Sequence, residues 1–164
     1  MNTHNGHHRA ILQEIAHRAM LERGLLPDFS QEVLGQIERI EAPAAEPDGA
    51  VRDLREMIWA SIDNDDSLDL DQLSVAEPLS DGQVRVLVAI ADVDSLVEYG
   101  SAVDEHAGHN TTSVYTAAQI FPMLPEKLST NLTSLNPDED RLAIVVDMTI
   151  AQDGSLLDSE VYRA

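Results

Sequence analysis

The sequence predicts an α+β fold in which a helical hairpin precedes a mainly antiparallel sheet. Apolar residues recur at spacings of three to five from residue 8 to residue 23, as in an amphipathic helix, and residues 30–40 carry a second stripe of this kind. Three later stretches, residues 83–92, 141–151 and 155–163, are typical of strands and are separated by turn signals. Helices followed by strands of this kind define the α+β class.

The helical hairpin has recognisable ends in the sequence. Gly24 follows the first apolar stripe and is expected to end the first helix, and Ser30 precedes the second stripe and is expected to cap the second helix. Residues 42–50 contain two prolines and a glycine, which predicts a linker. We therefore divide the chain into a helical N-terminal segment with its linker, residues 1–50, and a second region, residues 51–164.

The predicted sheet is centred on residues 83–92. Asp81-Gly82 just before it is a hairpin turn signal. One face of this strand is expected to be apolar throughout, with Val84, Val86, Val88 and Ile90. The other face carries small or apolar residues, so we expect a central strand.

The strand before this hairpin is predicted to contain an irregularity. Leu68 and Leu70 alternate with Asp69 and Asp71, which is the period of a strand. Beyond Gln72 the apolar residues change parity, and a β-bulge near Gln72 would explain the change.

The segment between the strands is predicted to be less regular. Residues 101–104 (Ser-Ala-Val-Asp) resemble a capping box and are expected to open a helix. Residues 110–137 are rich in Thr, Ser, Pro and Leu without a sustained period. They predict an ordered irregular loop that holds a short helix near Pro125 to Leu128.

The composition limits the classes of function. The chain has 164 residues, of which 43% are apolar, and no cysteine, which excludes disulfides, thiolate zinc sites and cysteine nucleophiles. Its longest apolar run is far shorter than the ~20 residues that span a bilayer, and the N-terminus lacks a signal sequence, so we expect no membrane association and a cytoplasmic location. Neither glycine-rich nucleotide motif occurs, so no dinucleotide cofactor is expected. The net charge of −20 opposes binding to polyanions.

Five aspartates lie close together in the sequence: Asp63, Asp65, Asp66, Asp69 and Asp71. On the predicted strand Asp69 and Asp71 share one face, where their repulsion is costly without a cation. Mg²⁺ prefers carboxylate oxygens and keeps positions open for substrate phosphates. The cluster therefore favours a metal site for phosphoryl chemistry, with a solvated acidic loop as the alternative.

Two other kinds of metal site have partial signals in this sequence. An EF-hand starting at Asp63 is excluded, because its sixth position is Leu68 instead of Gly and its twelfth is Ser74 instead of Glu. His106 and His109 stand three apart on a predicted helix, which permits metal binding, although ordinary surface histidines are the commoner explanation.

Short sequence blocks follow the acidic cluster in a fixed order. After Asp63-x5-Asp69-x-Asp71 they are Val86-Leu-Val-Ala-Ile-Ala-Asp-Val93, Gly100-Ser-Ala-Val-Asp104, Thr112-Ser-Val-Tyr-Thr116, Phe121-Pro-Met-Leu-Pro-Glu126, Leu128-Ser129, Ser134-Leu-Asn-Pro137 and Asp140-Arg-Leu142. This series resembles the ribonuclease II (RNB) family of exoribonucleases from residue 58 to residue 164. The resemblance implies the N-terminal part of an RNB-type catalytic domain with a mainly antiparallel sheet.

The resemblance also implies an activity and site residues. The family hydrolyses single-stranded RNA processively from its 3′ end and releases nucleoside 5′-monophosphates, with Mg²⁺ as cofactor and Mn²⁺ as a substitute. By this resemblance Asp71 is the aspartate most needed for the chemistry, Asp69 is a second active-site acid and Asp63 is a metal ligand. Tyr115 is implied to stack on the 3′-terminal nucleotide, an interaction of ~1–3 kcal/mol per base.

Two features depart from the family pattern. The motif ordinarily ends in Asp-x-Asp-Asp, whereas Gln72 stands at its last position and offers a metal an amide oxygen with less negative charge. The family's catalytic domain continues beyond Arg163, so the C-terminal half of the same protein is an expected partner, and the basic RNA channel is expected there. The alternative is a catalytically degenerate or incomplete RNB-like module that binds RNA or a protein partner.

Overall fold

The computed structural model describes residues 3–45 and 51–164, which form two compact units. One unit combines the N-terminal helices with Val97–Glu126. The other contains the remaining described residues and holds a four-stranded antiparallel sheet. Helices combined with a mainly antiparallel sheet confirm the predicted α+β class.

The linker and the domain boundary were predicted over the same part of the sequence. Residues 46–50 of the predicted linker lie outside the described residues. Each compact unit consists of two stretches of chain that are separated in the sequence. The predicted boundary instead divides the chain once, between residues 50 and 51. That boundary stays a prediction.

The first unit is built on three helices: α1 (Thr3–Glu22), α2 (Gln31–Glu38) and α3 (Ala102–Asn110). Gly24 follows α1 with a φ of +77°, a conformation that glycine adopts without steric cost, so the predicted stop is confirmed. The predicted caps are also confirmed. Val33 N–H donates to Ser30 Oγ at 3.3 Å, and Asp104 N–H donates to Ser101 Oγ at 3.4 Å.

One side chain joins α2 to α3. The Gln36 amide donates to Ser101 Oγ at 3.0 Å and accepts from Val103 N–H at 3.1 Å. Apolar burial accompanies these bonds, because Val33, Ile37 and Val103 are all buried. The two helices are thereby held by both packing and a bidentate amide.

The irregular loop predicted over residues 110–137 contains regular elements that the sequence did not indicate. Strands β3 (Val114–Tyr115) and β4 (Ile120–Phe121) form a two-stranded hairpin. Each strand has two residues, which is too short to show a period of two. The predicted short helix near Pro125 is present, because residues 126 and 127 are α-helical and continue into a π-helical turn over Leu128–Leu132.

The second unit contains the main sheet, in the order β1-β2-β5-β6 with every pair antiparallel. Its strands are β1 (Gln72–Pro78), β2 (Val84–Ala91), β5 (Ala143–Ile150) and β6 (Leu156–Arg163). The predicted central position of residues 83–92 is confirmed, since β2 lies between β1 and β5. Asp81 and Gly82 both have positive φ in the preceding turn, as the hairpin signal predicted.

The core of the second unit lies on one face of the sheet. Its fully buried members include Leu87 on β2 and Val145 on β5, which adjoin Leu135 from the loop before β5. Trp59 packs against this cluster, and its indole N–H donates to the carbonyl oxygen of Leu54 at 3.0 Å. The segment before β1 thus covers the sheet and contributes to its core.

The strand predicted over Leu68 to Asp71 and the bulge near Gln72 were wrong. β1 begins at Gln72. Its pairing with β2 keeps one register from Gln72 to Pro78, so this strand contains no bulge. In the preceding segment Leu70 hydrogen-bonds to Ser134 and Leu135 instead of to β2. The alternation of leucine and aspartate therefore reflects a loop with its own partners.

None of the helices in the described parts of the chain has the length and apolar character needed to cross a membrane.

Candidate active site

The five clustered aspartates all lie on one loop, which we call the acidic loop (residues 61–71). A bridge closes it at its base: Ala60 N–H donates to the Ser74 carbonyl oxygen at 3.0 Å, and Ser74 N–H donates back to Ala60 at 2.8 Å. The loop leads directly into β1, which is an edge strand of the main sheet. All five aspartate side chains are exposed.

The acidic loop has a second attachment near its end. Leu70 N–H donates to Ser134 Oγ at 3.0 Å, and the Ser134 hydroxyl donates to the carbonyl oxygen of Leu68 at 2.9 Å. Leu135 N–H donates to the carbonyl oxygen of Leu70 at 2.8 Å. The backbone around Asp69 is therefore fixed by the segment that precedes β5.

The structure also places the remaining predicted residues of this loop. The carbonyl oxygen of Asp71 accepts from Ala91 N–H at 2.9 Å, which extends the β1–β2 ladder by one bond. Gln72 follows as the first residue of β1, opposite Ile90 and exposed. Asp63 precedes a turn in which Ser67 N–H donates to Asn64 at 3.0 Å.

The predicted metal ligands have the type of donor atom that a hard cation requires. Their donor type fits Mg²⁺, because Asp63, Asp69 and Asp71 offer exposed carboxylate oxygens on a single loop. As placed, however, no three His, Cys, Asp or Glu side chains within residues 3–45 and 51–164 are grouped so that they could hold a metal ion. The ligand set of Asp63, Asp69, Asp71 and Gln72 therefore stays a prediction.

Tyr115 belongs to the first unit, whereas the acidic loop belongs to the second. It is the second residue of β3, opposite Ile120, and its side chain is 63% exposed. An exposed ring on a short hairpin is available for stacking, and its role as a base-stacking residue stays a prediction.

The two histidines on α3 have partners within the first unit. His106 is buried, its Nε2 lies 3.2 Å from Asn110 Nδ2, and its ring lies 4.5 Å from the ring of Phe29. Burial lowers the pKa of His106, and the neighbouring His109 lowers it further. His109 Nε2 lies 2.6 Å from the carbonyl oxygen of Gly24. His106 is thus a core residue rather than the surface histidine that the sequence suggested.

A network of charges stabilises the sheet beside the apolar core. Arg85 on β2 forms a bidentate pair with Asp147 on β5, at 3.0 and 2.6 Å. The Tyr162 hydroxyl donates to Asp147 at 3.0 Å, and the Arg52 guanidinium lies 3.7 Å from the centre of the Tyr162 ring. The hydrogen bonds from Arg85 hold the pKa of Asp147 below its ordinary value, and burial together with the bond to Asp147 raises the pKa of Tyr162.

Comparison with known families identifies the class of this domain. A family model described as the RNB domain matches residues 51–164, which include the acidic loop and the whole main sheet. The chain therefore belongs to the RNB domain family.

Two relatives with high sequence identity are both named ribonuclease R. Ribonuclease R of Vibrio parahaemolyticus is 46% identical over 112 residues, which cover 68% of this chain and 13% of that protein. Ribonuclease R of Escherichia coli is 41% identical over 134 residues, covering 82% of this chain and 16% of that protein. The chain thus spans less than a fifth of the length of these two relatives.

A solved relative has the same fold. RNase R of Mycoplasma genitalium, determined in complex with double-stranded RNA and with ribose-methylated single-stranded RNA, is 28% identical to this chain. Both structures superpose with a TM-score of 0.80 over 88% of this chain, which corresponds to 26% and 23% of the respective solved chains.

Sequence reasoning missed the part played by Ser134. In the sequence, the Ser134-Leu-Asn-Pro137 block contributes only to the family resemblance. A serine among apolar residues is a weak signal, because nothing local shows that its side chain is 1% exposed or that it contacts residues more than 60 positions away.

Proposed function

We propose that the protein to which this sequence belongs is a hydrolytic exoribonuclease that degrades single-stranded RNA from its 3′ end and releases nucleoside 5′-monophosphates. The observation that carries the proposal is the acidic loop, whose Asp63, Asp69 and Asp71 lie within the RNB match, just before an edge strand of the main sheet. The two relatives described above are both named ribonuclease R, which supports the same reaction.

The site residues are proposed to divide the work as follows. Mg²⁺, with Mn²⁺ as a substitute, would be held by Asp63, Asp69 and Asp71, with Gln72 as a neutral oxygen donor, and would supply positive charge to the phosphodiester under attack. Asp71 is the principal active-site acid and Asp69 supports it. Tyr115 stacks on the terminal base, which requires no particular base identity.

The second candidate is a catalytically degenerate RNB-like module that binds RNA or a protein partner. Gln72 favours it, because an amide in place of the last carboxylate reduces the negative charge that retains a divalent cation. Such a module would bind its partner without degrading RNA, so it would show no Mg²⁺-dependent turnover. An assay of Mg²⁺-dependent RNA degradation therefore separates the two candidates.

The test is a denaturing-gel assay of 5′-labelled single-stranded RNA with Mg²⁺ or with EDTA. We expect shortening from the 3′ end that requires Mg²⁺ and disappears in Asp71→Asn while RNA binding persists. Asp65→Asn is the matched control, because it removes the same charge from an exposed position of the same loop. Equal loss in both variants, or shortening by Asp71→Asn, would contradict the proposal, whereas absence of shortening by the unmodified chain would assign the activity to the longer protein to which it belongs.

A further inference from the structure

We propose that Ser134 is a positioning residue for Asp69. The inference rests on the proposed function, because it matters only if Asp69 acts in the site. Its basis is one hydroxyl group that bonds to the backbone on both sides of that aspartate.

The two bonds fix the two peptide planes that flank Asp69. The carbonyl oxygen of Leu68 belongs to the peptide that precedes Asp69, and it accepts from the Ser134 hydroxyl at 2.9 Å. The N–H of Leu70 belongs to the peptide that follows, and it donates to the same Oγ at 3.0 Å. Because φ and ψ of a residue are the relative orientation of its two peptide planes, a single oxygen atom bonded to both planes restrains the backbone conformation of Asp69.

The next residues are held by other groups. Leu135 N–H donates to the carbonyl oxygen of Leu70 at 2.8 Å, and Ala91 N–H donates to that of Asp71 at 2.9 Å. These bonds fix the planes on either side of Asp71 without any contribution from the Ser134 side chain. Loss of the hydroxyl should therefore disturb Asp69 and leave the backbone of Asp71 in place.

Serine suits this position for a physical reason. Its side chain is 1% exposed, so no solvent can replace a missing bond at Oγ. A hydroxyl both donates and accepts, which the two facing backbone groups require, and Asn136 Oδ1 at 3.0 Å provides a second acceptor beside it. Alanine offers neither function and would leave the Leu70 N–H without this acceptor.

The first measurement is amide hydrogen exchange of the complete chain by NMR. We expect the Leu70 amide to be protected in the unmodified chain and to exchange several-fold faster in Ser134→Ala. The Ala91 amide, which donates to Asp71, is the internal control and should not change. Equal Leu70 exchange in the two proteins would overturn the proposal.

The second measurement is Mn²⁺ binding by calorimetry, with Mn²⁺ as the only ligand. Ser134→Ala should weaken binding about tenfold, as expected for loss of a group that orients a ligand, and Ser134→Thr, which keeps the hydroxyl, should restore it. In an Asp69→Asn background Ser134→Ala should have no further effect, because the serine acts through that carboxylate. An equal loss in both backgrounds would identify a merely structural residue and overturn the proposal.

Two further outcomes complete the design. If Ser134→Ala does not fold, Ser134→Cys is used instead, since a thiol is similar in shape but is a weak donor and acceptor. Faster Leu70 exchange and weaker Mn²⁺ binding are expected for it as well.

If Asp71→Asn binds Mn²⁺ as well as the unmodified chain while Leu70 exchange still responds to Ser134→Ala, the proposed metal site has failed. That result would overturn the positioning role and leave only a backbone clamp.

Discussion

Arg163, the last residue of β6, forms an ion pair with Asp92, which directly follows β2; Arg163 Nε lies 2.6 Å from Asp92 Oδ2. β5 lies between these two strands in the sheet, so the pair joins elements that do not hydrogen-bond to each other. The Asp92 side chain is 2% exposed. A carboxylate buried this deeply needs a compensating cation, and Arg163 provides it.

Replacing Arg163 with methionine should lower the free energy of unfolding by about 2–4 kcal/mol, because Asp92 would remain buried without its cation. Chemical denaturation measures the change. Arg18→Met is the matched control, since its pair with Glu22 is exposed and worth about 0.5 kcal/mol or less. Similar losses in the two variants would contradict a buried ion pair that holds the sheet.

Asp147 should make the sheet sensitive to acid. Hydrogen bonds from Arg85 hold its folded-state pKa below the ordinary value of 3.8. The stability that this provides is fully present above the unfolded-state pKa and is lost as the pH falls through the lowered pKa of the folded state. Unfolding measured between neutral pH and acid should therefore show a smaller loss for Asp147→Asn than for the unmodified chain below pH 3.8. Parallel pH profiles would contradict this account.

His106 should give the first unit a second pH dependence. Burial holds its folded-state pKa below 6.5, so stability is present above that pH and is lost as the pH falls through the folded-state value. Titration of the His106 ring protons by NMR should yield a pKa below 6.5, and His106→Leu should remove the corresponding part of the stability profile. A pKa at or above the ordinary value would show that the buried position carries no such cost.

Tyr115 should contribute to RNA affinity if it stacks on a base. Tyr115→Ala is expected to weaken binding of a short single-stranded RNA by about 1–3 kcal/mol, measured by fluorescence anisotropy. Tyr99→Ala is the control, because this ring is 95% exposed and lies in the same unit. Equal affinities of the two variants would remove Tyr115 from the proposed site.

The sequence predicted those parts of the fold that local chemistry determines. Ser30 and Ser101 cap helices because a hydroxyl can reach the N–H three residues ahead, and Asp81-Gly82 turns because both residues tolerate positive φ. The conformation around Asp69 could not be predicted in this way. Its alternation with leucine is typical of a strand. In the structure, however, the Leu70 N–H donates to Ser134 Oγ, 64 residues away in the sequence, and not to a neighbouring strand.

The candidate site shows the same division. The acidic residues and their order are visible in the sequence, because a cluster of carboxylates is a compositional feature. Their attachment is not, since the closing bridge joins Ala60 to Ser74 and the clamp comes from Ser134. Burial of His106 was missed for a related reason: Asn110 lies on the same helix, but Phe29, whose ring packs on the imidazole, is far away in the sequence.

The central claim is that the acidic loop is the catalytic centre of an exoribonuclease, and product analysis tests it most directly. Single-stranded RNA is incubated with Mg²⁺ and the protein to which this sequence belongs, and the released nucleotides are identified by mass spectrometry. The account predicts nucleoside 5′-monophosphates from the unmodified protein and from Asp65→Asn, and none from Asp71→Asn. Release of nucleotides with 3′-phosphates, or of the same products by Asp71→Asn, would contradict it.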